Sequence, residues 1–204
     1  MNYLEYFFPG TVVLIILFTA IFSTMSIIED RQAGFLQSVV VAPVTRASIA
    51  LGKIMGGTIL SLVQALILLA LTPFIGISLS IISFLLIVLI LFIISFGLTG
   101  LGFIIAWRMD STQGFHAIMN LFLIPLWLLS GALFPPSGAA GWISTVMMVN
   151  PLTYGVEGLR AVLYMNSNVP MQTVASIPVS LAVITIFALL MFVFSAISVN
   201  KKRS

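Results

Sequence analysis

Few side chains in this sequence could do chemistry. The 204 residues include one histidine, five acidic residues and no cysteine. No His-x-x-x-His or Glu-x-x-His spacing occurs, and no Gly-x-x-x-x-Gly-Lys-Ser/Thr loop is available to bind a triphosphate. We therefore predict no catalytic residue, no metal site and no cofactor bound by this chain itself. His116, beside Arg108 and Asp110, is interpreted as an interfacial histidine rather than a proton relay.

One group of charged residues opens the segment 29–46. It begins with Glu29, Asp30 and Arg31, and Gly34 follows. Apolar residues then recur at helical spacing until a proline ends the run: Phe35, Leu36, Val39, Val40 and Pro43. This pattern predicts a short amphipathic helix at the membrane surface that could offer its acidic end to a partner. The alternative is a plain solvated loop.

A second group lies in the region 135–170, where Glu157 and Arg160 are three residues apart and would share a helix face. Helix-breaking residues divide this region: Pro135, Pro136, Gly138, Gly141, Asn150, Pro151 and Gly155. The apolar stretches between them are too short to cross a bilayer, so we predict helices that dip into its outer face or lie along it. The region could line an outer cavity or simply cap the bundle, and the charge pair could be structural or contact a substrate.

The elements that must position these residues are membrane helices. The sequence is 61% hydrophobic and 6% charged, with a mean hydropathy of +1.25, whereas soluble domains carry about 25% charged residues. We predict an all-α integral membrane protein, a bundle of about five transmembrane helices plus short re-entrant helices on the outer face. The predicted spans are 9–28, 49–74, 81–107, 114–134 and 174–199. Gly52 and Gly56, four residues apart, are predicted to pack closely against another helix.

The basic residues predict the orientation of the bundle. One side would hold seven of them: Arg31, Arg46, Lys53, Arg108, Lys201, Lys202 and Arg203. The opposite side would hold only Arg160. Loops rich in Lys and Arg stay in the cytoplasm, so the seven-residue side and the C-terminus are predicted to be cytoplasmic. An odd number of spans then places the N-terminus outside, which suggests that a span upstream of the first one is missing.

Three stretches of the sequence resemble a known family. They are the segment 29–46 followed by Gly52-Lys53, the run Leu129-Ser130-Gly131-Ala132-Leu133-Phe134-Pro135, and Asn150-Pro151-Leu152-Thr153-Tyr154 with Arg160 six residues after the tyrosine. Together they are similar to the ABC-2 type permeases, the membrane subunits of ATP-driven exporters, over nearly the whole chain. Ala140 departs from the pattern, because the family usually has a proline there, before a tryptophan like Trp142.

The resemblance implies a function and partners. A permease of this family would pair with a second copy or a paralogue in the plasma membrane, among lipids, and would move an amphiphile such as a drug, a lipid or a polysaccharide. A separate ABC ATPase subunit would bind ATP and Mg²⁺, and no nucleic acid would take part. The family usually has six spans with a cytoplasmic N-terminus, and by this resemblance the first span is expected to be missing from the sequence.

The resemblance also assigns roles to residues. The coupling segment 29–46 would dock on the ATPase through Glu29, Asp30, Arg31, Gly34, Phe35, Pro43 and Arg46. The outer region would close the exit, and its residues are Pro135, Asn150, Pro151, Tyr154, Glu157 and Arg160.

The sequence offers less support for a carrier, a channel or a membrane-embedded enzyme than for a permease subunit. A carrier or channel driven by ions usually has an ionisable group in mid-membrane, and none of the predicted spans has an acid near its centre. A membrane-embedded enzyme would need converging polar groups, and the spans offer only Ser, Thr, Asn120 and Gln64. A non-transporting assembly or immunity protein stays open.

Overall fold

Long apolar runs become helices in this chain because a helix satisfies its own backbone hydrogen bonds, as a membrane requires. A computed structural model describes residues 3–35, 45–77, 79–135, 138–165 and 175–200, and these residues form helices and turns without a strand. The α-helices are α1 (Tyr3–Ser23), α2 (Ser26–Gln32), α3 (Arg46–Leu69), α4 (Ile81–Ala106), α5 (Thr112–Leu128), α6 (Gly141–Val149), α7 (Pro151–Leu163) and α8 (Ile177–Asn200). A short 3₁₀ helix, Thr72–Ile75, follows α3.

Four stretches within the described ranges are long and apolar enough to cross a membrane. They are Glu5–Gln32, Arg46–Ile75, Ile81–Ala106 and Ile177–Val199. The predicted all-α membrane fold is therefore confirmed. The first helix begins at Tyr3, six residues before the start of the predicted span 9–28, and it carries Pro9 inside it.

The span predicted at 114–134 was wrong at its C-terminal end. Helix α5 has 17 residues and stops at Leu128, which gives a length of about 25 Å against a hydrocarbon core of about 30 Å. The backbone then turns away, and Gly131 adopts a left-handed conformation with a φ of 77°. The hydropathy of residues 129–134 does not reveal this turn, because the turn depends on the backbone of one glycine.

Glycines bring the long helices of the bundle together. A Cβ at Gly97 would lie 2.7 Å from the ring of Phe187, and one at Gly100 would lie 3.0 Å from Met191, so α4 and α8 meet backbone to side chain. In α3 the close approach is at Gly57, where a Cβ would lie 2.7 Å from Cγ2 of Thr99. Small residues of this kind let helices pack tightly in a membrane.

The predicted packing residues of α3 do not make this contact. In the described part of the chain, Gly52 and Gly56 have nothing within 4 Å of an added Cβ. Both are exposed, whereas Gly57 is buried. Sequence spacing detects a pair of small residues but not the face that a neighbouring helix will cover. Close packing of Gly52 and Gly56 against another helix stays a prediction.

Helices α6 and α7 form a hairpin beside the middle of the bundle. A Cβ at Gly155, in the second turn of α7, would lie 2.6 Å from Cδ1 of Ile94, halfway along α4. One turn later, Gly158 faces Ser180 near the beginning of α8. Helix α7 therefore starts level with the centre of α4 and runs back towards the end at which α8 begins. This is the geometry of a helix pair that dips into a bundle and returns.

The close approach at Gly57 gives a matched test of the packing. We expect Gly57→Ala to destabilise the fold by about 1–3 kcal/mol, because an added methyl group must displace Ser23 and Thr99. Gly56→Ala, one residue away at an exposed position, should not lower stability. The measurement is the midpoint of thermal unfolding of each purified variant in mild detergent. Equal losses in the two variants would contradict this packing.

Candidate functional site: two polar clusters at opposite ends of the bundle

The ion pairs among the described residues lie towards the two ends of the helix bundle. The basic end is the end at which α1 stops and α3 starts, and it holds Arg31, Lys53 and Arg108. The distal end is the other one, where Arg160 lies against the first turns of α1. This distribution of described basic residues agrees with the one predicted from the sequence.

At the basic end, α2 is joined to α3 by an ion pair. The carboxylate of Asp30 accepts a hydrogen bond from Lys53, and Nζ of Lys53 lies 3.4 Å from Oγ of Ser26. Both charged side chains are partly buried, with about a quarter to a third of their area exposed (Lys53 32%, Asp30 25%). The negative charge of Asp30 is therefore paired within the chain, and its contact with an ATPase stays a prediction.

The next residues of α2 bind the turn between α4 and α5. Arg31 donates from Nη2 to the carbonyl oxygen of Trp107 at 2.6 Å and from Nη1 to that of Met109 at 2.7 Å. It also pairs with the carboxylate of Asp110 at 3.0 Å. Gln32 donates to the carbonyl oxygen of Asp110 at 2.8 Å. The sequence suggested no role for Gln32 or for this turn.

The remaining predicted coupling residues lie in α2, just after it, or at the start of α3. Glu29 is exposed, and Gly34 ends the helix with a φ of 77° and donates to the carbonyl oxygen of Arg31. Phe35 follows with 58% of its surface exposed. Arg46 is the first residue of α3. Pro43 and the predicted amphipathic helix at Leu36, Val39 and Val40 lie outside the described residues.

At the distal end, Glu157 and Arg160 form a buried ion pair of 2.6 Å, with side-chain exposures of 1% and 4%. Nη2 of Arg160 donates to the carbonyl oxygens of Gly131 at 3.0 Å and Tyr6 at 3.3 Å. The guanidinium group also lies over the Tyr6 ring, 4.0 Å from its centroid. The Tyr6 hydroxyl donates to the carbonyl oxygen of Gly131 at 2.9 Å. One arginine thus joins α1, α7 and the turn after α5.

The hydroxyl of Tyr164 replaces a backbone hydrogen-bond donor that α1 lacks at Pro9. Pro9 has no N–H, so the carbonyl oxygen of Glu5, four residues earlier, loses its helical partner. The Tyr164 hydroxyl donates to that oxygen at 2.6 Å. Burial raises the pKa of Tyr164 to about 12, so this hydroxyl keeps its proton at any physiological pH. Neither Tyr6 nor Tyr164 was predicted as a site residue, although an internal proline points to such a donor.

Asn150 joins α5 to α7 with one side-chain amide. Its Nδ2 donates to the carbonyl oxygens of Leu126 at 2.7 Å and Leu129 at 2.9 Å, and its Oδ1 accepts the N–H of Leu152 at 3.0 Å. It therefore caps the end of α5 and the start of α7, where Pro151 occupies the first helical position.

Two further residues of the predicted outer set have local partners. The hydroxyl of Tyr154 donates to the carbonyl oxygen of Met148 at 2.9 Å and ties α7 to α6. The carbonyl oxygen of Pro135, an exposed residue, accepts the N–H of Gly138 at 3.1 Å. The predicted outer residues therefore hold backbone segments in place.

An apolar cavity of about 520 Å³ opens between α5 and α6. Its walls include Phe122 and Leu126 from α5 and Val146 and Val149 from α6, and Asn150 lies at their junction. No three His, Cys, Asp or Glu side chains lie close enough to hold a metal ion among the residues with described positions. The cavity suits an alkyl chain or another apolar group.

The chain is similar to known proteins of one membrane-transport family. Residues 1–164 match the family model described as ABC-2 type transporter. The chain is 30% identical over 165 residues to the putative transport permease ycf38 of Cyanophora paradoxa, covering 78% of this chain and 56% of that protein. It is 29% identical over 169 residues to ycf38 of Porphyra purpurea, covering 82% and 57%.

A bacterial relative is more distant. The chain is 28% identical over 140 residues to the probable multidrug ABC transporter permease YbhR of Escherichia coli strain K12, covering 66% of this chain and 36% of that protein. The aligned regions span little more than half of the ycf38 proteins and about a third of YbhR.

The amide of Asn150 allows a test that separates its two roles. Aspartate caps a helix N-terminus as well as asparagine does, but it cannot donate to the carbonyl groups of Leu126 and Leu129. We expect Asn150→Asp to cost about 1–3 kcal/mol, because two acceptors lose their donor beside a new charge. Thr45→Asp, at the exposed N-cap of α3, should be neutral. Thermal unfolding in detergent measures both, and a neutral Asn150→Asp would refute the double cap.

The buried ion pair gives a second test. Arg160→Met should destabilise the chain by about 3–5 kcal/mol, because it removes the cation that neutralises the buried Glu157 carboxylate. The double variant Glu157→Gln/Arg160→Met removes the charge as well and should recover part of that loss. The comparison is made on unfolding midpoints in one detergent. A double variant no more stable than the single one would contradict an energetic role for the pair.

Proposed function

The chain belongs to the ABC-2 type transporter family, and from this we propose that it is the permease subunit of an ATP-driven exporter. The observation that carries the proposal is a surface called the exposed face of α2, formed by Glu29 within the helix and Phe35 just beyond its end, while Asp30 and Arg31 are bound inside the chain. An exposed aromatic residue next to an anchored helix is suited to binding a protein partner. We propose that this partner is a separate ABC ATPase subunit, which binds ATP and Mg²⁺.

The proposed location of the bundle is the plasma membrane. The proposed orientation places the basic end on the cytoplasmic side. Arg31, Lys53 and Arg108 lie at that end, and cytoplasmic loops carry an excess of such residues. The distal end, with Arg160, would then be the exit side, and α8 would carry the C-terminus to the cytoplasm. In this orientation the exposed face of α2 is on the side where ATP is available.

The proposed substrate is an amphiphile, such as a drug, a lipid or a polysaccharide-like molecule. The cavity between α5 and α6 has walls of apolar side chains and one amide, from Asn150. Such a lining binds an alkyl or aromatic group and selects weakly among polar headgroups. Transport would use two permease chains, either two copies or a copy and a paralogue, surrounded by lipid.

An ion-driven carrier is less well supported by the geometry. The acid buried near the distal end, Glu157, lies 2.6 Å from Arg160 and so is neutralised within its own helix. A carrier needs an acid that exchanges its proton or ion during transport. A non-transporting assembly or immunity protein remains the competing outcome of the experiment below.

The test is co-purification with an ATPase. The chain is expressed together with its neighbouring genes, extracted in mild detergent, and assayed for a bound ABC ATPase and for ATP hydrolysis that depends on the chain. We expect Phe35→Ala to weaken ATPase retention about tenfold, as loss of a central aromatic contact does at protein interfaces.

The matched control is Phe74→Ala, since Phe74 is also exposed, at 87%, but follows α3 at the distal end. It should retain the ATPase at the wild-type level. Purification of the wild-type chain without any ATPase would refute the exporter function and favour a non-transporting role. Equal retention by Phe35→Ala and the wild type would refute the proposed docking face.

A further inference from the structure

Arg31 reaches away from the exposed face of α2 and into the turn that follows α4. This turn, residues 107–111, connects α4 to α5 and is called the α4–α5 turn below. We infer that Arg31 is a positioning residue that fixes α2 to the α4–α5 turn, so that a force applied to α2 moves α4 and α5 directly. The inference deepens the proposed function and rests on it, because that function supplies the force.

The contacts between the Arg31 guanidinium and the α4–α5 turn are together called the clamp. Its two terminal nitrogens reach the carbonyl oxygens of Trp107 at 2.6 Å and Met109 at 2.7 Å, at the end of α4. Carbonyl groups at a helix C-terminus lack helical partners and attract positive charge. The guanidinium also lies 5.7 Å from the centroid of the Trp107 ring. A planar fork with several donors makes all these contacts at once, which a lysine ammonium cannot.

The ion pair with Asp110 is the minor part of this clamp. The Asp110 side chain is 67% exposed, whereas that of Arg31 is 22% exposed. Exposed ion pairs contribute little, because water and salt screen them. The backbone carbonyl groups, in contrast, are fixed by the end of α4. The clamp therefore depends on the guanidinium shape more than on charge, and this predicts different effects for Arg31→Lys and Asp110→Asn.

Helix α2 is held on its other side by a separate contact. Asp30 pairs with Lys53 of α3, and this pair does not involve Arg31. Helix α2 thus lies between α3 and the α4–α5 turn with adjacent residues bound to each. Removal of Arg31 should loosen α2 from the turn, where only the Gln32 hydrogen bond to the carbonyl oxygen of Asp110 remains among the described side-chain contacts, and should leave α2 attached to α3. This separation provides an internal control within one molecule.

Because the sequence has no cysteine, spin labels can be attached at chosen positions only, and the distances across the clamp can be measured. Cysteines are introduced for nitroxide labels at two exposed positions, Ala33 beside the clamp and Gln113 in the first turn of α5. A control pair joins Ala33 to Ala47, an exposed residue in the first turn of α3. Electron paramagnetic resonance of the chain alone, in lipid nanodiscs, gives the spread of distances in each pair.

The expected result is selective. Arg31→Met and Arg31→Lys widen the Ala33–Gln113 distance distribution by about twofold, because the fork that binds two carbonyl groups is lost. Asp110→Asn leaves it unchanged, and the Ala33–Ala47 distribution stays narrow in every variant. A distribution in Arg31→Met as narrow as in the wild type would overturn the clamp. Equal widening by Asp110→Asn would overturn the role of the backbone carbonyl groups.

A second measurement tests transmission in the complex with the ATPase. Labels at Gln113 and at Leu60, an exposed residue of α3, report movement of the α4–α5 turn when a non-hydrolysable ATP analogue binds. We expect a shift in the wild type and none in Arg31→Met, with the ATPase still bound in both. A shift of the same size in Arg31→Met, or no shift in the wild-type complex, would overturn transmission. If no ATPase binds, the proposed function fails, but the measurement on the chain alone still decides the clamp.

Discussion

A backbone carbonyl group that loses its helical partner inside an apolar environment must find another donor, and most of the tertiary polar contacts in this chain meet that requirement. Helix ends, internal prolines and the turn at Gly131 each release such groups. The donors come from distant elements: Arg31, Gln32, Asn150, Arg160 and Tyr164. With only eight basic and five acidic residues in the sequence, few charges remain for any other role.

The ion pairs among the described residues lie towards the ends of the bundle, whereas Asn150 binds released carbonyl groups level with its middle. Lipid provides no hydrophobic force between helices, so the middle of the bundle depends on close packing at glycines such as Gly57 and Gly97. Packing of smooth apolar helices specifies relative position poorly along the helix axis. Hydrogen bonds to individual carbonyl groups specify it well, because they are directional. Arg31 at one end and Arg160 at the other thus fix the register of the helices that they join.

The sequence predicted those parts of the fold that depend on composition and on short spacing. Hydropathy alone indicates the long helices, and the spacing of three predicts that Glu157 and Arg160 share a helix face. It could not predict that Arg160 also binds Tyr6, 154 residues earlier, or that Arg31 binds Met109, 78 residues later. The end of α5 at Leu128 was missed for a related reason, since residues 129–134 are apolar but leave the helix at a turn.

The charges in the segment 29–46 differ in their contacts within the chain, and their docking role stays a prediction. Asp30 and Arg31 resemble docking residues in the sequence, yet their side chains bind α3 and the α4–α5 turn. Glu29 and Phe35 are the members of the described set that stay exposed. A surface that transmits force must itself be held rigidly, because a flexible attachment would absorb the motion. The internal charges are therefore as necessary to such a surface as the exposed residues, and each group requires a different test.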